Sequence, residues 1–239
     1  MNVVPLGSSS KGNAYVVEHD GRAILIDCGV CYRRLKDWPV EAVLITHSHV
    51  DHVSGLPVFL KHRDVPVFAN AMTADAVAAA EKIDDERFVL FENGQEFEVG
   101  PFAVHPFSIP HDTSDPVGYL VRSGGMTYFH GTDIGAPLDS IGLKLAEADV
   151  ATLESNHDPV MLRNSARPVS LKRRIAGPRG HLSNDEAAGL VRRFASSRLK
   201  KLFLAHLSHE CNTPQFALGA MRSVLAEMGR DDIDLELAE

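Results

Sequence analysis

The 239-residue chain is poor in cysteine, with three, and in aromatics, at 7% with a single tryptophan. It has no apolar run near the ~18 residues that span a bilayer. An odd cysteine count in a chain of this size excludes a disulfide framework. Cys28 and Cys31 form one C-x-x-C, without the second pair of a zinc site or the thioredoxin-like context of a redox pair. All three cysteines read as buried or incidental thiols. The missing apolar run excludes a transmembrane helix, and Met1 to Pro5 has neither the basic start nor the apolar stretch of a signal peptide, so no membrane partner and a cytoplasmic location are expected. With so few aromatics there is no stacking patch of the kind many single-strand binders use.

Hydrophobic residues at 44% and charged residues at 23% are ordinary for a soluble globular protein. The length, with no repeat, low-complexity tract or Gly/Ser linker, predicts one domain over residues 1–239. The net charge is −8, but it is spread unevenly: Met161 to Lys201 holds eleven Lys or Arg against Asp185 and Glu186, a local +9 that leaves −17 for the remainder. Such asymmetry points to a polyanionic partner, although some of these side chains will merely solvate helices or pair with acids.

Apolar and β-prone runs predict strands at Val3–Leu6, Ala14–Glu18, Arg22–Asp27, Ala42–Ile45, Pro66–Ala69, Phe88–Phe91, Phe97–Val99 and Phe102–Pro106. Further strands are predicted at Val117–Val121, Met126–Phe129, Val150–Leu153 and Leu202–Ala205. Helices are predicted at Leu56–His62, Met72–Lys82, Leu138–Ala146, Asp185–Ser196 and Pro214–Met228. Turns are expected at Gly7–Asn13 and at Asp20-Gly21. The alternation predicts a layered α/β domain with two sheets inside helices.

Thr46-His47-Ser48-His49-Val50-Asp51-His52 follows the apolar run ending at Ile45, so its side chains project from a loop at a strand's carboxyl end, where α/β sheets commonly place ligands. In extended or turn geometry His47 and His49 can point one way while Asp51 and His52 turn to a second centre, a spacing that can serve two adjacent metals. Imidazole and carboxylate suit Zn²⁺, Mn²⁺ or Fe. A dinuclear centre needs further donors. His111 after Phe107 to Pro110, Asp133 after Tyr128 to Thr132, and His206 after Leu202 to Ala205 each close an apolar run. Asp133 is able to bridge two cations. His19, His62, His105, His130, His157 and His209 lack a spacing that demands metal.

With these motifs in order, the chain resembles the metallo-β-lactamase superfamily over essentially its whole length. That resemblance implies an αββα sandwich of two mixed β-sheets flanked by helices, with two divalent ions. One would be held by His47, His49 and His111, the other by Asp51, His52 and His206, with Asp133 bridging. Asp27, at the end of Ala23 to Ile26, matches the family's early aspartate, which supports the ligands from behind.

Two such ions activate water against a phosphoryl or carbonyl centre, and Asp51 could orient that water or take its proton. Leu6 to Asn13, Leu153 to Asp158, Gly180 to Asn184, Ala205 to Ser208 and Asn212 to Pro214 together resemble the YycJ/WalJ branch, which implies 5′-to-3′ DNA exonuclease activity. A sugar alkoxide is a poor leaving group that benefits from a proton donor. His181 is the candidate for that donor or for a phosphate-binding cation. Ser183 and Asn184 are candidates both for substrate contact and for capping a helix. The Gly7 to Asn13 loop could meet phosphate or be an ordinary hairpin turn, and it lacks a Walker pattern. The expected substrate is nucleic acid, DNA before RNA. No inserted domain is large enough to clamp it, so a shallow groove, or one completed by a second subunit as in a homodimer, is expected. The alternatives are a hydrolase of a small ester, thioester or cyclic phosphodiester, and a non-enzymatic metal-binding scaffold.

Overall fold

The computed structural model describes residues 1–238; Glu239, the last residue of the expected domain, lies outside the described residues. The chain forms two compact units, one of residues 1–108 and 113–126, the other of residues 109–112 and 127–238.

The first unit runs β1 (Asn2–Ser9), β2 (Gly12–His19), β3 (Arg22–Ile26), α1 (Tyr32–Leu35), β4 (Val40–Leu44), α2 (Val50–Val53), α3 (Leu56–His62), β5 (Val67–Ala69), α4 (Ala71–Glu81), β6 (Phe88–Leu90), β7 (Phe97–Val99), β8 (Phe102–Ser108) and β9 (Val117–Ser123). Strands β1 to β6 make a six-stranded mixed sheet in chain order. Pairing is antiparallel from β1 to β3 and parallel from β3 to β6. Ala14 to Val17 and Ala23 to Ile26 are buried throughout, as expected of strands covered on both faces. Strands β7, β8 and β9 pair antiparallel. The expected Gly7 to Asn13 turn contracts to Ser10-Lys11, because Ser9 already pairs with Gly12.

Of the two short helices of this unit missed from the sequence, α1 and α2, the second lifts Asp51 and His52 out of the expected loop. Four residues cannot sustain a helix alone. Val53 anchors this one in a core with Leu25, Val43, Ile45, Leu56, Phe59 and Val67, where each fully buried aliphatic side chain stabilises by about 1.5–3 kcal/mol. Three segments are stitched together beside it. Cys28 N donates to His52 O at 2.7 Å, Gly55 N to Cys28 O at 2.8 Å, and Gly29 N to Asn13 O at 2.8 Å. A Cβ on Gly29 would stand 1.7 Å from the Asp51 carbonyl oxygen, so the approach requires glycine.

The second unit runs β10 (Met126–Gly131), α5 (Asp139–Leu145), β11 (Val150–Glu154), α6 (Pro159–Asn164), α7 (Val169–Ile175), α8 (Asn184–Phe194), β12 (Lys201–Ala205), α9 (Pro214–Glu227) and β13 (Asp234–Leu237). Strands β10 to β13 pair parallel in chain order. Helices α6 and α7 and strand β13 go beyond the sequence expectation. Helix α6 has a legible start, with Asp158 accepting from Val160 N and Met161 N ahead of Pro159.

Cys28, Cys31 and Cys211 are free, Cys31 exposed and the others buried. Burial, with Asp27 beside it, raises the Cys28 thiol well above its ordinary range. Among the described residues no helix is long and apolar enough to cross a membrane.

Candidate metal clusters

In the first unit the ligand run leaves β4 and is fixed at its root. Tyr119 Oη donates to the Ile45 carbonyl at 2.6 Å and Val117 N to the Thr46 carbonyl at 3.0 Å. Beyond this anchor the His47 ring lies 4.0 Å from the His52 ring and 4.7 Å from the His49 ring, centroid to centroid. Asp27, wholly buried with φ at +59°, accepts from Thr46 N at 2.9 Å, from Thr46 Oγ1 and from His52 Nδ1 at 2.7 Å. A left-handed backbone at a non-glycine residue costs on the order of 1–3 kcal/mol, and its recurrence at functional positions is common. Here it turns the carboxylate back under the histidines.

Asn13 is a member of this cluster that the sequence did not single out. Its buried amide donates to Asp51 Oδ2 at 3.1 Å and to His52 Nε2 at 3.0 Å, while its Oδ1 has no hydrogen-bond partner among the described residues.

In the second unit four donors, from Asp133, Glu154, His181 and His206, lie within 4.8 Å of one another. Asp133 and His206 follow β10 and β12, each with positive φ, at +58° and +56°. Glu154 ends β11 and is completely buried. Its Oε1 accepts from His181 Nδ1 at 2.8 Å and His206 Nδ1 at 3.0 Å, and its Oε2 from Ile134 N at 2.8 Å and Leu182 N at 3.0 Å. Both oxygens are thus spent on protein donors, which makes Glu154 an organiser of histidines. Asp133 Oδ1 lies 3.4 Å from His206 Nδ1, 3.6 Å from His181 Nδ1 and 3.6 Å from His111 Nε2. Sequence reasoning missed Glu154. The one available signal was a carboxylate at the end of an apolar strand.

Burial alone would raise the Glu154 carboxyl, but the His181 charge and the hydrogen bonds from His181 and His206 outweigh it and hold the group down at about 2. Burial likewise pulls His181 down, and Glu154, through charge and hydrogen bond, with Asp133 behind it, overrides this and leaves the imidazole raised. Each partner therefore favours the charged form of the other. His181 is 21% exposed, whereas Glu154 and Asp133 are sealed.

The donor chemistry fits metal. His47 Nδ1 meets Thr46 Oγ1, His52 Nδ1 meets Asp27, His111 Nδ1 meets the Gly180 carbonyl, and His206 Nδ1 meets Glu154. Each ring is oriented through Nδ1, the arrangement by which proteins present Nε2 to a metal, although at His52 that nitrogen faces the Asn13 amide at 3.0 Å. His111 is held further by its backbone, since Arg179 Nε donates to its carbonyl at 2.9 Å.

Ser183 and Asn184, expected also as substrate contacts, have their side chains committed inside the protein. Ser183 caps α8 in a capping box with Glu186. Asn184 is buried and bonded to Ser155 and to Asn212, whose amide also reaches the Ser155 and Asn156 carbonyls. Asn156 Nδ2 in turn donates to the His206 carbonyl at 2.8 Å. This amide network ties the loops after β11 and β12 to the start of α8. His130, outside the ligand set, is buried with Nδ1 on the Tyr128 hydroxyl at 3.0 Å.

Comparison with known proteins agrees with these features. The model of the beta-lactamase superfamily domain matches residues 22–206. The chain is 30% identical over 234 residues to the exodeoxyribonuclease WalJ of Streptococcus pneumoniae serotype 2, covering 93% of this chain and 87% of that protein. It is 32% identical over 234 residues to the exodeoxyribonuclease YycJ of Bacillus anthracis, covering 94% and 89%. Among solved structures, the metallo-β-lactamase fold protein YhfI of Bacillus subtilis superposes with a TM-score of 0.74 at 18% identity, covering 99% and 95%. The fold is therefore two mixed β-sheets flanked by helices, and the chain belongs to the beta-lactamase superfamily, in the family of WalJ and YycJ.

Proposed function

We propose that this chain is a metal-dependent phosphodiesterase that degrades DNA from the 5′ end, with residues 1–239 as a single hydrolase domain that uses two divalent ions. In this reading His47, His49 and His111 would hold one ion and Asp51, His52 and His206 the other, with Asp133 as the ligand common to both. Zn, Mn and Fe all suit this donor set. Bound there, a pair of divalent ions stabilises the charge building on phosphoryl oxygens and acidifies water. Asp51 would orient a water there and take its proton, and Asn13 holds the Asp51 carboxylate in place. The names of the relatives, exodeoxyribonucleases aligned over nearly the whole chain, support DNA as substrate. Free thiols at Cys28, Cys31 and Cys211 accord with work in the reducing cytoplasm.

The observation that carries the reading is the Glu154–His181 pair. A sugar alkoxide leaves readily only if it is protonated as the ester bond breaks. His181, kept protonated by a carboxylate 2.8 Å away, is the group that hands over that proton. A site for thioesters, whose thiolate leaves unaided, would gain little from it.

Metal-loaded protein is incubated with duplex DNA, single-stranded DNA and RNA labelled at either end, and with a cyclic nucleotide and a thioester, beside His181→Ala and Asp133→Ala. Release of labelled mononucleotide from the 5′ end by wild type, lost in both variants, is the expected result. Turnover of the small substrates with no DNA cleavage would overturn the reading.

A further inference from the structure

The eleven basic side chains between Met161 and Lys201 fall into two groups. Those nearer the carboxyl end are neutralised by acids from elsewhere in the second unit. Arg192 pairs with Glu227, Arg193 with Asp139, Arg198 with Asp149, Lys200 with Asp232, and Lys201 with Asp234 and Glu236. The local +9 expected to attract a polyanion is therefore largely spent there on helix and strand ends.

The remainder lie on a small lobe, residues 158–180, inserted between Glu154 and His181 and carrying α6 and α7. Arg167 pairs with Glu210, Arg174 with Asp112, next to His111, and Arg179 donates to the His111 carbonyl. Arg163, Lys172 and Arg173 have no carboxylate within 4.0 Å among the described residues. All three belong to the same small lobe, where Lys172 Nζ donates to the Arg163 backbone carbonyl at 2.7 Å and Arg173 follows on α7. Like charges gathered without counter-charge repel one another and raise the local potential for an anion.

The lobe is firmly mounted. Its two stems pair where Asn156 N donates to Leu182 O and Asn184 N to His157 O, both at 2.9 Å. Leu162, Leu171, Ile175 and Cys211 pack beneath it. The same stems hold Glu154 and His181, so whatever rests on the lobe is carried beside that pair. Val160 and Val169, 51% and 63% exposed, are its apolar surface, with no aromatic among them. Such a surface suits contact with backbone phosphates and sugars, and offers nothing for stacking bases.

From these observations we infer that the α6–α7 lobe is the nucleic-acid docking surface of this protein, with Arg163, Lys172 and Arg173 on the phosphate backbone of a DNA strand. The inference rests on the nuclease reading above. It confines strand binding to three of the eleven cations and makes it independent of base sequence.

The test uses the metal-loaded full chain. One triple variant carries Arg163→Gln, Lys172→Gln and Arg173→Gln; a control carries Arg192→Gln, Arg193→Gln and Arg198→Gln. Anisotropy of a fluorescent oligonucleotide is followed across salt concentration, and turnover of bis(p-nitrophenyl) phosphate is measured in parallel. Each lost phosphate contact should flatten the log Kd against log salt slope by about 0.7–0.9. The lobe variant is expected to lose roughly 2 of slope and at least about tenfold of affinity at low salt, with small-diester turnover unchanged and the control like wild type. If wild type binds and degrades DNA but the lobe variant keeps its slope, or the control loses as much, the lobe assignment is wrong and the nuclease reading stands. If wild type turns over the small diester yet neither binds nor cuts DNA, both fall.

Discussion

Glu154 Oε1 sits 2.8 Å from His181 Nδ1 and 3.0 Å from His206 Nδ1, so one buried carboxylate oxygen sets the tautomer and tilt of two histidines with different proposed roles. Replacing Glu154 by Gln keeps the shape and removes the charge that keeps His181 protonated. The expected result is a fall in kcat of about 10²–10⁴-fold, the usual range for a lost general acid, with KM for DNA little altered. A purely structural role would move stability and leave the kcat to KM split unchanged.

The same pair sets a pH window in protein stripped of metal by chelation. Glu154 is held below its ordinary value of about 4.3, so its contribution is present above that pH and is lost as pH falls towards about 2. His181 is raised above its ordinary value of about 6.5, so its contribution is complete below that pH and is lost as pH rises through the folded value. The Tm difference between wild type and Glu154→Gln should therefore be largest between roughly pH 4.5 and 6.5 and shrink on both sides. A difference flat from pH 3 to 9 would contradict the ion pair.

Asp27 accepts from His52 Nδ1 and from Thr46, which in turn meets His47 Nδ1. Asp27→Asn offers an amide in place of the second carboxylate oxygen and releases both rings. Metal affinity, measured by chelator competition, should fall about 10–100-fold, as it does when such supporting partners are lost.

At Gly29 the Asp51 carbonyl leaves no room for a methyl group. Gly29→Ala should destabilise by about 1–3 kcal/mol or more, seen as a lower urea midpoint at unchanged slope. A midpoint equal to wild type would mean that the 27–31 and 51–55 segments are less tightly apposed than the structure has them.

What could be read in the sequence follows from which signals are local. His47 to His52 stand out because four donors crowd the end of an apolar strand, and His111, Asp133 and His206 close apolar runs in the same way. Glu154 could not be distinguished there, because a glutamate ending a strand carries no mark until His181, 27 residues on, is placed against it. The basic segment was legible only as a total. A charge count sees eleven cations but not Asp139, Asp149, Glu227 or Asp232, which fold onto four of them. Helices α1, α2, α6 and α7 are too short for a periodic pattern. Strand β13, Asp234-Leu235-Glu236-Leu237, alternates acid with leucine at a sheet edge and resembles a polar tail.

The proposed function requires two ions that share Asp133 as a ligand, and electron paramagnetic resonance of Mn²⁺-loaded protein tests this directly. Two ions about 3.5–4 Å apart should give an exchange-coupled spectrum with hyperfine splitting half that of an isolated ion, lost in Asp133→Ala. A six-line spectrum of uncoupled Mn²⁺ at full loading would contradict the shared centre.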